Sequence, residues 1–269
     1  ESMPRATGGI GHIKFNENKF EILISEGRSG KIDIKTGRII FSGLKNFDQY
    51  ADVDLNLEGP LGSTIKVLSN SLPRSNRLLE LSKSNIKGDL KAKLKLNFLV
   101  ETKTTAEMVN GFLNARLKNV EIPKLPFNLN LLKGDLNLIA DNKSMKIMGF
   151  GDIGGAKTDI VWEESFLDNS AYARKYSIIS KLVDKIWVKN LGLNFMPFTN
   201  EFITGTVGLR LNIMEKRSVH SELTAYFDLK DADMNLPRFN WRKSQKVQAN
   251  ATLFATFENN RFTSIPSIL

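Results

Sequence analysis

Cysteine is absent from this 269-residue chain, so no disulfide and no thiolate metal site holds it together. Histidine is nearly absent too. His12 and His220 lie far apart, each beside a strand-like run, a poor basis for catalysis or metal ligation. No stretch of about 18 apolar residues occurs, so no segment here reads as a helix spanning a bilayer. The opening ESMPRATGGIGH lacks the apolar core of a secretory signal. HExxH, GxSxG, the P-loop and a GxGxxG after a strand are missing as well. Met148–Gly155, MGFGDIGG, has the glycines of a phosphate loop, but Lys157-Thr158 opens a strand where such a loop needs a helix N-terminus. Glu163 and Glu164 are adjacent, so in a strand they face opposite ways and cannot share acid–base work. These absences leave no residue to assign as catalytic, cofactor-binding or metal-binding, and they argue against an enzyme.

Lysine and arginine outnumber aspartate and glutamate by 38 to 29, a net charge of +9. Such a balance suits nucleic acid or anionic lipid as a partner. Here the lysines are spread singly along strands, mixed with acids, in no block of five like charges. That is the pattern of a solvated sheet face with blunted edges. Phenylalanine (17) dominates tyrosine (4) and tryptophan (3), and it sits in apolar stripes rather than among lysines. A base-stacking surface needs the opposite arrangement, so no nucleic-acid partner is expected.

What the chain has is alternation. In Gly88–Val100, GDLKAKLKLNFLV, Leu90, Ala92, Leu94, Leu96, Phe98 and Val100 take every second position, with Asp89, Lys91, Lys93, Lys95 and Asn97 between them. In a strand this gives one apolar and one charged face. At roughly 3.3 Å per residue the segment would extend about 40 Å. Lys19–Ser25, Tyr50–Gly59, Leu113–Val120, Asp135–Ala140, Val207–Ile213, Glu222–Leu229 and Ala249–Phe257 repeat the pattern. A hairpin is expected in GKIDIKTGRIIFSG around Thr36-Gly37, and a short strand over Thr64–Leu68. Ser75–Ser84 has three-residue spacings that suit a short helix or an irregular loop. In Asp168–Leu193, Ile178, Ile179, Leu182, Val183, Ile186 and Trp187 recur at three- and four-residue spacing, which predicts an amphipathic helix with room for a strand before it.

Short turns favour antiparallel neighbours, and no βαβ rhythm is present. The expected architecture is mainly β: a long antiparallel meander with one or two short helices. Residues 1–269 read as a piece of a longer protein, since SIPSIL ends within an apolar strand-like run. A subdivision into 10–166, and 167–269 with the helix, is expected. So much alternation with so little helix requires a sandwich, a barrel or an open apolar trough. A trough would need a ligand, and lipid acyl chains suit it. Leu90, Leu94, Phe98, Leu209, Leu211, Phe227 and Leu229 are the residues expected to line the groove or fill a core, two roles the alternation does not separate.

Several segments together resemble the AsmA-like superfamily of bacterial envelope proteins, especially its YhdP branch. FDLKDADMNLPRFNWRKS carries Asp228, Leu229, Ala232, Leu236, Pro237, Trp241 and Lys243 of a strand, loop and proline-aromatic-basic element. LLKGDLNLIADNKSMKIMGFGDIGGAKTDIVWEESF carries Gly134, Asp135, Ala140, Asp141, Gly149, Gly151, Gly154, Trp162 and Glu164, and Ala51–Leu61 carries a strand ending in Gly-Pro. These are structural positions, in which glycines and Pro237 shape turns while Trp162 and Trp241 pack. The resemblance implies a twisted β-sheet curling into a continuous hydrophobic groove. It implies a periplasmic protein anchored to the inner membrane through a segment outside this stretch. It further implies phospholipid passage between inner and outer membranes, in support of outer-membrane integrity. The related TamB branch implies an alternative, an assembly factor that pairs strands with envelope proteins. No cofactor is implied.

Overall fold

The computed structural model describes residues 6–71, 83–101, 105, 108–125, 129–183, 202–217, 220–258 and 261–268. The strands are β1 (Thr7–Phe15), β2 (Lys19–Ser29), β3 (Ile32–Ser42), β4 (Tyr50–Pro60), β5 (Lys87–Leu99), β6 (Val109–Leu125), β7 (Leu129–Asp141) and β8 (Ser144–Ile153). They continue as β9 (Ala156–Ser165), β10 (Arg174–Val183), β11 (Ile203–Glu215), β12 (His220–Asp228), β13 (Ala232–Leu236), β14 (Trp241–Lys243), β15 (Asn250–Glu258) and β16 (Arg261–Ile268). One α-helix, α1 (Leu61–Ser71), occurs among the described residues. Strand order follows the chain from β1 to β12, then β15 and β16, and the path does not close. β13 and β14 form a side hairpin on β11. This is the mainly-β antiparallel meander that the alternation predicts. The chain divides into two compact units, Glu1–Ile122 with Asp135–Lys143, and Pro123–Gly134 with Ser144–Leu269.

In the first unit the register sets apolar side chains opposite one another from strand to strand. Ile13 faces Ile22, then Ile39, Val53 and Leu96 in turn. Phe15 faces Phe20, then Phe41, Ala51, Phe98 and Val109. Each such pair contributes about 0.2–1 kcal/mol, and a one-residue slip would move a whole strand's apolar set to the wet face. The other face carries cross-strand ion pairs. Lys91 Nζ lies 2.9 Å from Glu58, Lys93 Nζ 3.4 Å from Asp54, and Arg38 bonds Glu21.

Three expectations change here. Thr36-Gly37 is not a turn: β3 runs straight through it, and Gly37 lies between Ile24 and Leu55. A methyl group on Gly37 would overlap Leu55 Cδ2, so the glycine makes room for a neighbour on the apolar face rather than bending the chain. Thr64–Leu68 is helical, within α1. Ile65-Lys66-Val67 alternates, but Pro60 has no N–H to continue the ladder, and Leu61, Ile65 and Leu68 also fit a helical period. As a helix the segment packs on β4 and β5 and buries Leu61 and Thr64, whose Oγ1 donates to Pro60 O. Residues 174–183 of the expected amphipathic helix form a strand instead. Ile178 and Leu182 are four apart, which suits period 3.6 and period 2 alike, and pairing on both sides with β9 and β11 decides for the strand. Ile186 and Trp187 lie outside the described residues, as does most of the segment expected over Ser75–Ser84.

The second unit repeats the scheme. Ile160 faces Ile178, then Leu211, Ala225 and Leu253. At one end of this face Leu182, Ile203, Val207, Leu229, Ala232 and Met234 form a buried core, which the β13–β14 hairpin completes. Two features hold that hairpin. Gly205 has φ +88°, and a Cβ there would stand 2.6 Å from Asp231 O, so only glycine lets β11 peel off to meet β13. Lys243, only 4% exposed, donates from Nζ to the carbonyls of Ala232 at 2.6 Å, Ser244 at 3.2 Å and Lys230 at 3.3 Å. An ammonium has three N–H donors, and each has an acceptor here.

Lys243→Met leaves those carbonyls without their donor and should cost about 1–3 kcal/mol. Gly205→Ala should cost on the order of 1–2 kcal/mol. Urea unfolding of the purified chain measures both, and an unchanged midpoint for Lys243→Met would mean that water replaces the ammonium.

Candidate functional site

The apolar face of each unit is the surface on which the expected site residues meet, and the structure grades them along it. In the first unit, Leu90 and Leu94 sit on β5, four residues apart on one face. Leu90 is 4% exposed, opposite Gly59 and Leu117. The surrounding buried residues include Ile32, Leu61, Ile86, Ala92 and Val120, and α1 packs against β4 and β5. Leu94 and Phe98 lie further along the strand and are only half-buried. Leu94 is opposite Leu55 and Leu113, and Phe98 opposite Ala51 and Val109. Exposure reaches 80% at Phe15 on β1. Among the described residues the face is thus closed over at one end and half-buried to exposed over most of the rest, with the small Ala51 buried opposite Phe98.

The second unit grades the same way. Leu229 is buried in the core, with Leu209 and Phe227 partly buried against it. Leu211, next along β11 on the same face, is half-buried beside Ile178 and Ala225. The glycines serve packing. Gly151 is buried, and a methyl on it would overlap Leu131 and stand 3.3 Å from Gly134 Cα. Gly149 faces Ile160 across β8 and β9. Pro237 opens the 3-10 turn Pro237–Phe239 that reverses the hairpin, with Asn240 in the left-handed region at φ 47°. Trp162 stacks on Tyr176 at 5.8 Å, and so packs as expected. Trp241 does not: it is 44% exposed, opposite Leu236 at the hairpin's end.

Two polar groups on the second unit's apolar face escaped the sequence reading. Thr158 and Ser180 are buried opposite each other and hydrogen-bonded, with Ser180 also donating to Lys157 O. Arg174 stands between Glu164 and Glu215, with Nη1 2.8 Å from Glu215 Oε2 and Nε 3.5 Å from Glu164 Oε2. Burial pulls the Arg174 pKa down, but Glu164 and Glu215 outweigh it and the net shift is upward. The signal was available: Ile160, Trp162 and Glu164 occupy alternate positions, so of the two adjacent glutamates Glu164 is the one on the apolar side. Among the described residues no group of His, Asp and Glu side chains is arranged to hold a metal ion.

The gradient along β5 gives a test. Leu90→Ala should cost about 2–5 kcal/mol, because its surroundings are closed and leave a cavity. Leu94→Ala should cost about 1 kcal/mol, the loss expected where solvent already reaches the side chain. Equal costs in urea unfolding would place Leu94 in a closed core. No family model, no curated protein and no solved structure matches the chain.

Proposed function

We propose that this chain binds the acyl chains of phospholipids along its apolar faces. In this reading it carries them between the inner and outer membranes of a bacterial envelope and so supports outer-membrane integrity. One observation carries the reading: apolar rows run strand to strand across the first unit, yet among the described residues α1 covers them at one end only. A water-exposed apolar surface of that extent is costly unless something occupies it. Acyl chains fit, because each buried methylene contributes about 0.8 kcal/mol and asks for no polar partner. The resemblance to the AsmA-like superfamily supplies the two membranes, the periplasmic location and an inner-membrane anchor outside this stretch. The sheet would curl to make a groove of the apolar face. No step requires a nucleotide, a cofactor or a catalytic residue, and lipid would move down its own concentration gradient.

A second reading has one observation of its own. β1 pairs on one side with β2, and among the described residues nothing pairs with its other edge, with Ile10 and Ile13 each more than half exposed. An open edge is a template for strand addition. An assembly factor for outer-membrane biogenesis would use it to pair with an envelope protein.

Native mass spectrometry of the chain purified from bacterial membranes, followed by lipid extraction, separates the readings. Transport predicts co-purifying phospholipid in defined stoichiometry. It further predicts that Leu94→Asp abolishes lipid carriage while the circular dichroism spectrum and melting behaviour persist. A lipid-free, stably folded chain that crosslinks to a protein through β1 would favour assembly instead.

A further inference from the structure

The apolar face of the second unit carries a polar island, Arg174 ion-paired with Glu164 and Glu215 beside the indole of Trp162. Trp162 Nε1 is buried and has no hydrogen-bond partner, and Arg174 Nε, also buried, makes no hydrogen bond and stands 3.5 Å from Glu164 Oε2 in an ion pair. They lie on neighbouring strands two register steps apart, since Arg174 is opposite Glu164 and Tyr176 is opposite Trp162. Diagonal neighbours at such spacing stand about 7–8 Å apart, within reach of one ligand held between long side chains. Buried donors left unpaired are rare, because each forfeits its hydration. The row through Trp162 continues into Ile147, Ile213 and Leu223, so an acceptor arriving here comes attached to something apolar.

We infer that this island is the headgroup station for a phospholipid whose phosphodiester bears a primary ammonium. The inference rests on the lipid reading above and names the lipid class. A phosphate oxygen joins the carboxylates around the Arg174 guanidinium, and an oxygen of the ester region accepts from Trp162 Nε1. The choice of head follows from charge. Glu164 and Glu215 supply two negative charges against one on Arg174. A phosphate alone would raise the local negative charge further. A zwitterionic head brings its own cation, whose three N–H donors suit the carboxylates. An anionic head such as phosphoglycerol is rejected by the same carboxylates. The acyl chains then lie on the adjoining row through Ile160, Ile178 and Leu211.

The test equilibrates the chain with vesicles of equal parts dioleoyl phosphatidylethanolamine and dioleoyl phosphatidylglycerol, and reads bound lipid by native mass spectrometry. The wild type should be enriched in phosphatidylethanolamine by about tenfold, the discrimination one charged contact confers. Glu164→Gln together with Glu215→Gln removes the carboxylates that favour the ammonium and should bring the ratio to about one, whereas Arg174→Met removes the phosphate partner and should weaken binding of both lipids alike. Trp162→Phe keeps an aromatic ring opposite Tyr176, removes only the N–H, and should cut phosphatidylethanolamine binding several-fold. Equal lipids on the wild type, or an excess of phosphatidylglycerol, would overturn the headgroup station and leave acyl-chain binding standing. No lipid of either kind would overturn both. Should Arg174→Met fail to fold, the wild-type ratio still decides. Saturable binding of water-soluble glycerophosphoethanolamine, with no lipid taken from vesicles, would overturn the lipid as the source.

Discussion

Everything in this fold depends on cross-strand register. A strand with one apolar face gains from its neighbour only if the two faces align, and the side-chain period of two makes the choice all or none. Leu55 opposite Leu94 opposite Leu113 is one instance, and Ile178 opposite Leu211 opposite Ala225 another. Because the order is nearly sequential, most strands meet their partner after a short connection, the long ones being β4 to β5, β10 to β11 and β12 to β15. The loop-closure cost is small, and register can propagate strand by strand from any well-formed hairpin. The irregularities are where sterics demand them: a shift at Ile34/Thr36 in β3, and a glycine at 37 where Leu55 needs the space.

The polar faces keep that register without much energy of their own. Surface ion pairs contribute about 0–1 kcal/mol each. Their placement opposes slippage all the same: Lys93 and Lys95 both reach Asp54, and Lys146 reaches Glu163 at 2.6 Å. A shift of one residue would bring these charges against the apolar stripe. The pairs leave the surplus of +9 unchanged, and it is spread over a lysine-rich solvent face. Exposed lysines along strands also discourage chance pairing between sheets.

The alternation made the class and order of the strands legible, because a half-wet antiparallel sheet writes its two faces directly into the sequence. Local signals failed where tertiary pairing overrode them. Ile178 and Leu182 fit two periods, and only β9 and β11 choose between them. Thr64–Leu68 looked extended because three residues alternate, while the competing helix gains burial on β4 and β5 that no local pattern records. Lys243 was visible as part of a turn motif, but its burial was not. Three carbonyls converge on it only once the β13–β14 hairpin is formed.

The candidate site was legible as a face and not as a gradient. Leu90 and Leu94 are indistinguishable in a run of alternating residues, yet one is closed in and the other half-open. The difference lies in what covers them. In the first unit a helix inserted after Pro60 lies at one end of the face, and in the second a hairpin inserted after Asp228 does so. Each insertion supplies a small core that anchors the sheet, and a larger cover would fill the face altogether. A sheet built only for stability has no reason to stop there, since further apolar burial stabilises at about 25 cal/mol per Å². Among the described residues the cover stops short and leaves apolar surface to be matched, and the buried indole N–H of Trp162, which has no hydrogen-bond partner on that surface, makes the same demand in polar terms. Both demands are met together by a molecule that is mostly hydrocarbon with a polar end.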